Sequence, residues 1–256
     1  MRPYQDGFYD LYALRRDREG RLSQAEKIAY ILTQLSLCHF PLPSATCLDL
    51  GCSSGTITAA LAPLFSKTVG LDYDETALKN AERVGSSKPA FLRGDAMRLP
   101  VPDSSIDVVI CAQVYEHVPD DTRLVAEIYR VLKPGGMVFF SGPNKLFPLE
   151  PHYRLPFLHW LPGKLANGYL RLLGRGNQYY ERSRTLWSLR RLVAPFVVQD
   201  VTIEVLIRKA QRTPSGVRAT LLSRVPSFAW NLLLPALPNY NWILYKPSKQ
   251  NGLARS

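Results

Sequence analysis

The sequence predicts an α/β fold built on a seven-stranded, mostly parallel sheet with helices on both faces. Three observations predict it. Between residues 45 and 142, short β-branched or apolar runs alternate with helical stretches, the signature of βαβ units. The run Ile106–Ala112 is almost uninterruptedly apolar, as a strand covered on both faces must be. At 256 residues, 46% hydrophobic and 21% charged, the chain has the material for one large core, and no repeat or low-complexity segment competes with that reading.

Taken in order, residues 23–37 read as an amphipathic helix. Tyr4, Tyr9 and Tyr12 lie on the segment leading to it, so residues 1–44 are expected to form a helical lid. Thr46–Leu50 is the first strand, followed by a helix over 56–65, a second strand at Lys67–Asp72 and a helix over 75–84. A third strand at 90–94 and a fourth at Ile106–Ala112 come next. Leu124, Val125, Ile128, Val131 and Leu132 share one helical face over 122–132, and Lys133-Pro134-Gly135-Gly136 supplies the turn chemistry to end that helix before a fifth strand at 137–141. Residues 45–146 thus make the expected core domain. Residues 147–175 mix Pro, His and aromatics with apolar residues and read as an apolar, basic substrate-cap insertion. A helix at 184–192, a strand over 197–206, an apolar stretch with basic punctuation at 217–237 and a last strand at 242–246 follow, so residues 147–256 hold the cap and complete the sheet.

The residues that carry chemistry lie at strand ends. Cys47-Leu48-Asp49-Leu50-Gly51-Cys52-Ser53-Ser54-Gly55 spans a strand end and a helix start, where glycines let the backbone turn tightly and approach a ligand. Asp72 ends the next strand, where a carboxylate can accept hydrogen bonds from both hydroxyls of a ribose. The pair implies a nucleoside. There is no Gly-Lys-Ser/Thr run and the glycine spacing does not fit G-x-G-x-x-G, which disfavours a P-loop and a pyrophosphate cofactor. Cys38, Cys47, Cys52 and Cys111 show no C-x-x-C spacing and no His cluster beside them, so they read as buried thiols and no metal site is predicted.

Together with Val69-Gly70-Leu71-Asp72, Gly94-Asp95-Ala96-Met97-Arg98-Leu99-Pro100, Tyr115-Glu116-His117-Val118 and Leu132-Lys133-Pro134-Gly135-Gly136, the glycine run resembles the ordered motifs of class I S-adenosylmethionine-dependent methyltransferases of the broad type 11 group. The resemblance covers about residues 45–145 and implies a Rossmann-like fold, S-adenosylmethionine as cofactor and methyl transfer as activity. It further implies that Asp49 and Gly51 frame the methionine moiety, with Cys52, Ser53 and Gly55 on the same loop. Asp72 would hold the ribose with Tyr73 beside it, Asp95 would face the adenine amino group with Ala96 against the ring, and Gln113 would lie along the pocket. Ser53 departs from the pattern, since many relatives have Gly there.

Methyl transfer needs an acceptor atom held in line with an electrophilic methyl and, where necessary, a base. His117, just beyond the fourth strand, and His152, after the fifth, are the candidates for that base. Tyr9, Tyr12, Tyr115, His152 and Tyr153 are expected to line the acceptor pocket; His39 and His159 receive no role.

The net charge of +11 is concentrated in the C-terminal part: residues 1–150 net −2 and residues 151–256 net +13. Bulky apolar residues flanked by cations at 155–175 and 225–237 fit peripheral contact with an anionic membrane surface. No apolar run is long enough to span a membrane, and the charged N-terminal residues leave no signal-peptide core, so the chain is expected in the cytoplasm, at the inner face of the membrane. The expected acceptor is a small-molecule or lipid- or glycan-linked hydroxyl. RNA methylation would also use the basic half, but Gln113-Val114-Tyr115-Glu116 stands where an Asn-Pro-Pro-Tyr base-methylation motif would be needed. A non-catalytic binding protein of the same fold is the third alternative.

Overall fold

The computed structural model describes residues 18–37, 40–81, 89–211 and 226–248. Five strands come first along the chain: β1 (Thr46–Leu50), β2 (Lys67–Asp72), β3 (Ala90–Arg93), β4 (Ile106–Ala112) and β5 (Leu132–Pro143). A two-stranded hairpin of β6 (Leu149–Glu150) and β7 (Leu155–Pro156) follows, and β8 (Val197–Asp200) and β9 (Asn239–Tyr245) return to the main sheet. The sheet order is β3-β2-β1-β4-β5-β9-β8, and only β9 runs antiparallel to its neighbours. Strand order reverses between β1 and β4, the switch point beside which open α/β sheets bind their ligands.

Alternation along the strands sends side chains to two apolar layers. On one face α1 (Arg18–Tyr30), continued by a wider turn at Ile31–Leu35, packs Ala25, Ile28, Ile31 and Leu32 with Leu61 of α2 (Thr56–Leu61) against Cys47, Val108, Ile110, Met137 and Phe139. After β2 comes α3 (Glu75–Lys79), started by the Asp74 side chain, which accepts from the backbone N–H groups of Thr76 and Ala77. On the opposite face α4 (Asp121–Val131) presents Leu124, Val125, Ile128 and Val131 to Leu48, Leu50, Val109, Cys111, Val138 and Phe140. The segment after β5 carries α5 (Gly163–Leu172), whose Ala166 and Leu170 join Leu155 and Leu158 in a small separate cluster. Then come α6 (Leu186–Leu192), α7 (Thr202–Gln211) and α8 (Ser227–Leu233).

Several expectations change. Residues 18–35 of the expected lid are a fixed layer on the sheet, because Ile28 and Ile31 are fully buried against strand residues. Tyr4, Tyr9 and Tyr12 lie outside the described residues. The expected strand over 197–206 is a strand only to Asp200; the Asp200 side chain accepts from the N–H of Thr202 and α7 begins there. Lys133-Pro134-Gly135-Gly136 lies within β5 as a register irregularity between two paired stretches, since pairing starts with Ile106 opposite Leu132 and resumes at Val108 opposite Met137. The helix expected over 75–84 runs through Lys79, and residues 82–88 lie outside the described set.

Candidate active site

The loop after β1 is shaped by three positive φ angles, at Gly51 (66°), Ser53 (51°) and Gly55 (75°). The N–H groups of Gly51 and Cys52 both donate to the Leu71 carbonyl, at 2.8 and 3.1 Å, tying the loop to the end of β2. A Cβ on Gly51 would stand 3.0 Å from Val114 Cγ2, so the absent side chain is what lets this loop approach the one after β4 across the switch point. Ser53 takes a left-handed conformation that costs a non-glycine residue about 1–2 kcal/mol. Its N–H donates to Asp72 Oδ2 at 2.7 Å, which offsets that cost.

Asp72 Oδ1 accepts from the Asp74 N–H at 2.9 Å, so the carboxylate is fixed at the end of β2 by two backbone donors. Each oxygen still has acceptor capacity for a hydroxyl. Burial raises its pKa, while the bonds from Asp74 and Ser53 pull it back toward ionisation. Asp49 is buried beneath the loop, where Thr58 Oγ1 donates to its Oδ2 at 2.5 Å; burial lifts its pKa to about 7 against that bond, and the nearby Asp72 adds to the rise. Cys52 is buried under the loop, with its Sγ against Gly70.

The remaining expected cofactor residues sit at neighbouring strand ends. The Tyr73 carbonyl accepts from Arg93 Nε at 3.3 Å. Asp95 Oδ1 accepts from the Met97 N–H at 2.8 Å, forming a turn that holds Ala96 buried beside it. Gln113, with φ of 59°, donates its N–H to the Ser141 carbonyl at 2.8 Å and bends the chain out of β4. Asp49, Gly51, Ser53, Gly55, Asp72, Asp95 and Gln113 are therefore gathered along the carboxyl ends of β1 to β4.

Beyond Gln113 lies a second polar group. His117 and His152 meet edge to face with ring centroids 4.8 Å apart. Glu116 Oε1 lies 3.9 Å from Nε2 of each histidine, and His152 Nδ1 is 2.8 Å from Glu150 Oε1. Burial lifts Glu116 to about 7, with His152 opposing the rise. Burial, reinforced by His152, holds His117 well below the usual imidazole range. For His152 burial acts against charge, but the Glu150 hydrogen bond and Glu116 outweigh it and its pKa is raised. Glu150, two residues before His152, escaped sequence reasoning although its position was a signal; Thr58 carried no signal of its role under Asp49.

Tyr115 does not line a pocket. It is fully buried, its hydroxyl donates to the Pro143 carbonyl and accepts from the Arg184 N–H at 3.2 Å, and its ring fills the space where Gly142 lacks a side chain. Tyr153 stays near His152, its N–H donating to Glu150 Oε2 at 2.6 Å and its ring packed edge-on to Tyr179. His159 packs in the insertion, with Nε2 2.6 Å from the Phe147 carbonyl oxygen. Cys47, Cys52 and Cys111 are buried free thiols, as expected; Cys38 lies outside the described residues.

Residues 48–140 match the family described as a methyltransferase domain. Residues 48–140 are a class I S-adenosylmethionine-dependent methyltransferase domain. This methyltransferase domain runs from within β1 to within β5 and holds the ordered strand-end motifs, whereas β8 and the antiparallel β9 lie beyond it. A Mycolicibacterium smegmatis protein named "Probable S-adenosylmethionine-dependent methyltransferase" is 37% identical over 99 residues, 39% of this chain and 38% of its own length. A "Ubiquinone biosynthesis O-methyltransferase" of Methylococcus capsulatus is 35% identical over 135 residues, 50% of this chain and 56% of its own. The chain thus spans little more than a third to a little over half of these relatives' length. In fold it is similar to Haemonchus contortus phosphoethanolamine N-methyltransferase 2, solved in complex with S-adenosyl-L-methionine, with a TM-score of 0.54 and 19% identity over 87% of this chain and 52% of that one.

Proposed function

We propose that the protein transfers a methyl group from S-adenosylmethionine to a hydroxyl oxygen of a small or lipid-linked acceptor. The observation that carries the reading is Asp72, a buried carboxylate pinned by two backbone N–H groups at the end of β2 beside the glycine loop. The residues fit the cofactor: Gly51 leaves a cradle that a Cβ would crowd, and Asp72 keeps acceptor capacity for two ribose hydroxyls. When bound, S-adenosylmethionine supplies a methyl carbon made electrophilic by its sulfonium, and the sulfur keeps the bond pair as the acceptor oxygen takes that carbon.

Gly51, Ser53 and Gly55 give the loop its approach to the nucleoside, and Asp95 with Ala96 bounds the adenine side. The acceptor's proton is handled by the cluster of Glu116, His117 and His152 beyond β4. The O-methyltransferase among the relatives supports an oxygen acceptor. Titration calorimetry with S-adenosylhomocysteine tests the cofactor site: saturable binding is expected, and its absence at millimolar ligand overturns the reading.

The insertion after β5 supports the membrane side of the proposal. Phe157, Trp160, Leu165 and Leu172 are 48%, 48%, 61% and 82% exposed, and Lys164 and Arg171 stand among them. Bulky apolar side chains interleaved with cations are suited to the headgroup boundary of anionic lipid. No described helix is long and apolar enough to cross a membrane. Flotation with anionic vesicles at low salt should carry the protein upward, and a Trp160→Ser, Leu172→Ser variant should lag; a protein that ignores such vesicles removes the membrane component.

A further inference from the structure

We propose that Glu116, His117 and His152 form a site for a zinc-class divalent cation. Each offers one ligand atom, and the three atoms lie within 4.8 Å of one another. Glu116 Oε1 is 3.9 Å from Nε2 of both histidines. Bonds of ~2.0–2.1 Å to nitrogen and oxygen set tetrahedral ligands ~3.3 Å apart, so small side-chain rotations bring the group onto one ion.

Two further features point to a ligand. Glu116 is fully buried, yet among the described residues neither carboxylate oxygen has a hydrogen-bond partner. A buried carboxylate is ordinarily paired, hydrogen-bonded or coordinated to a metal, and the first donor set facing this one is a pair of imidazoles. Independently, His152 Nδ1 is 2.8 Å from Glu150 Oε1. That contact places a proton on Nδ1 and sets Nε2 on the side of Glu116, the carboxylate–histidine relay that orients metal-binding imidazoles.

The donor set selects the ion. Two imidazole nitrogens with one carboxylate suit zinc and its transition-metal neighbours better than magnesium or calcium, which prefer oxygen. Three protein ligands leave a fourth position open, as in catalytic and not structural zinc sites. The use of that position rests on the methyl-transfer reading: it takes the acceptor's hydroxyl oxygen, whose proton passes to the Glu116 oxygen that does not hold the ion as the acceptor oxygen takes the methyl carbon and the sulfur keeps the bond pair.

The full-length protein, loaded with Zn²⁺ and dialysed against metal-free buffer, is expected to retain one ion per chain by elemental analysis. Co²⁺ in its place is expected to give the visible absorption of a four- or five-coordinate ion. Glu116→Gln should lose both signals. Glu150→Gln, which leaves all three ligands in place, should weaken Zn²⁺ binding about 10- to 100-fold. Zn²⁺ should raise the Tm of the parent and leave that of Glu116→Gln unmoved. Equal metal retention by parent and both variants overturns the proposal, since the ion is then held elsewhere; so does a parent that retains none. If Glu116→Gln does not fold, the Co²⁺ spectrum of the parent and the affinity of Glu150→Gln decide. Zn²⁺ retention without S-adenosylhomocysteine binding overturns only the methyl-transfer reading, and the converse overturns only the metal site.

Discussion

Replacing Asp72 with Ala is expected to weaken S-adenosylhomocysteine binding by about 1–3 kcal/mol, a factor of about 5–150 in Kd. The carboxylate is already held by the Ser53 N–H at 2.7 Å and the Asp74 N–H at 2.9 Å, so it needs no rearrangement to receive two ribose hydroxyls. Each such bond replaces one to water and nets about 0.5–1.5 kcal/mol, which gives the range for two. The demethylated product is the right probe because it cannot react and lacks the sulfonium charge. Truncation also frees the two backbone donors, so the ligand-free variant should melt lower, by about 2–4 °C for each kcal/mol lost. Asp72→Asn should fall between, since it keeps one acceptor oxygen but turns an amide N–H₂ toward a backbone donor. Calorimetry gives Kd and a thermal melt gives the folded fraction. A Kd within twofold of the parent, in an Asp72→Ala variant that still melts cooperatively, would refute the pocket.

Asp49→Asn should reduce the pH dependence of stability. Burial raises the Asp49 pKa to about 7, so its contribution is fully present below the unfolded carboxylate pKa of about 4 and is lost as pH rises through about 7. Denaturant melts across that window should show the parent losing more stability than the variant; identical slopes would count against a protonated Asp49. Ile28→Ala should cost about 2–5 kcal/mol, because the side chain is fully buried between α1 and the sheet. An unchanged Tm there would return α1 to the role of a lid. Gly142→Ala would put a Cβ 2.1 Å from Tyr115 Cε1, with the ring pinned by the Pro143 carbonyl and the Arg184 N–H. A loss of at least about 1–3 kcal/mol is expected by calorimetric melting, and a parent-like Tm would mean that the ring swings aside.

The core strands were legible because their signals are local. Thr46–Leu50, Lys67–Asp72 and Ile106–Ala112 carry their burial in their own composition, and Gly51 with Asp72 announces a strand-end site through residue type alone. What was lost depended on partners distant in sequence. The run Val201, Ile203 and Val205 suits a strand and a helix face equally well; the decision fell to Asp200, whose side chain caps the turn at Thr202, and to the room left beside β9. The helix at 18–30 was legible in part as an amphipathic stretch, but its attachment to the sheet through Ile28, Ile31 and Leu32 appears only once Val108, Met137 and Phe139 are in register beneath it. Tyr115 looked like a pocket residue because it follows β4, yet Gly142 in the adjacent strand opens the space that swallows its ring.

The same distance argument explains why the cluster beyond β4 went unread as a unit. Glu116 and His117 are adjacent, whereas His152 and Glu150 arrive on the hairpin formed by β6 and β7 after the chain has crossed β5. A Glu-His pair alone is ordinary loop material; what changes its meaning is a second imidazole 3.9 Å from the same carboxylate oxygen, already oriented by a carboxylate of its own. Glu116 is then costly to bury unless something answers its two oxygens, and the core motifs alone give no reason to bear that cost. The segment that brings His152 therefore does more than extend the chain beyond β5. It completes a polar constellation whose other half the methyltransferase domain supplies, so deleting the β6–β7 hairpin should remove the cluster's function while leaving the nucleoside loop and Asp72 able to bind.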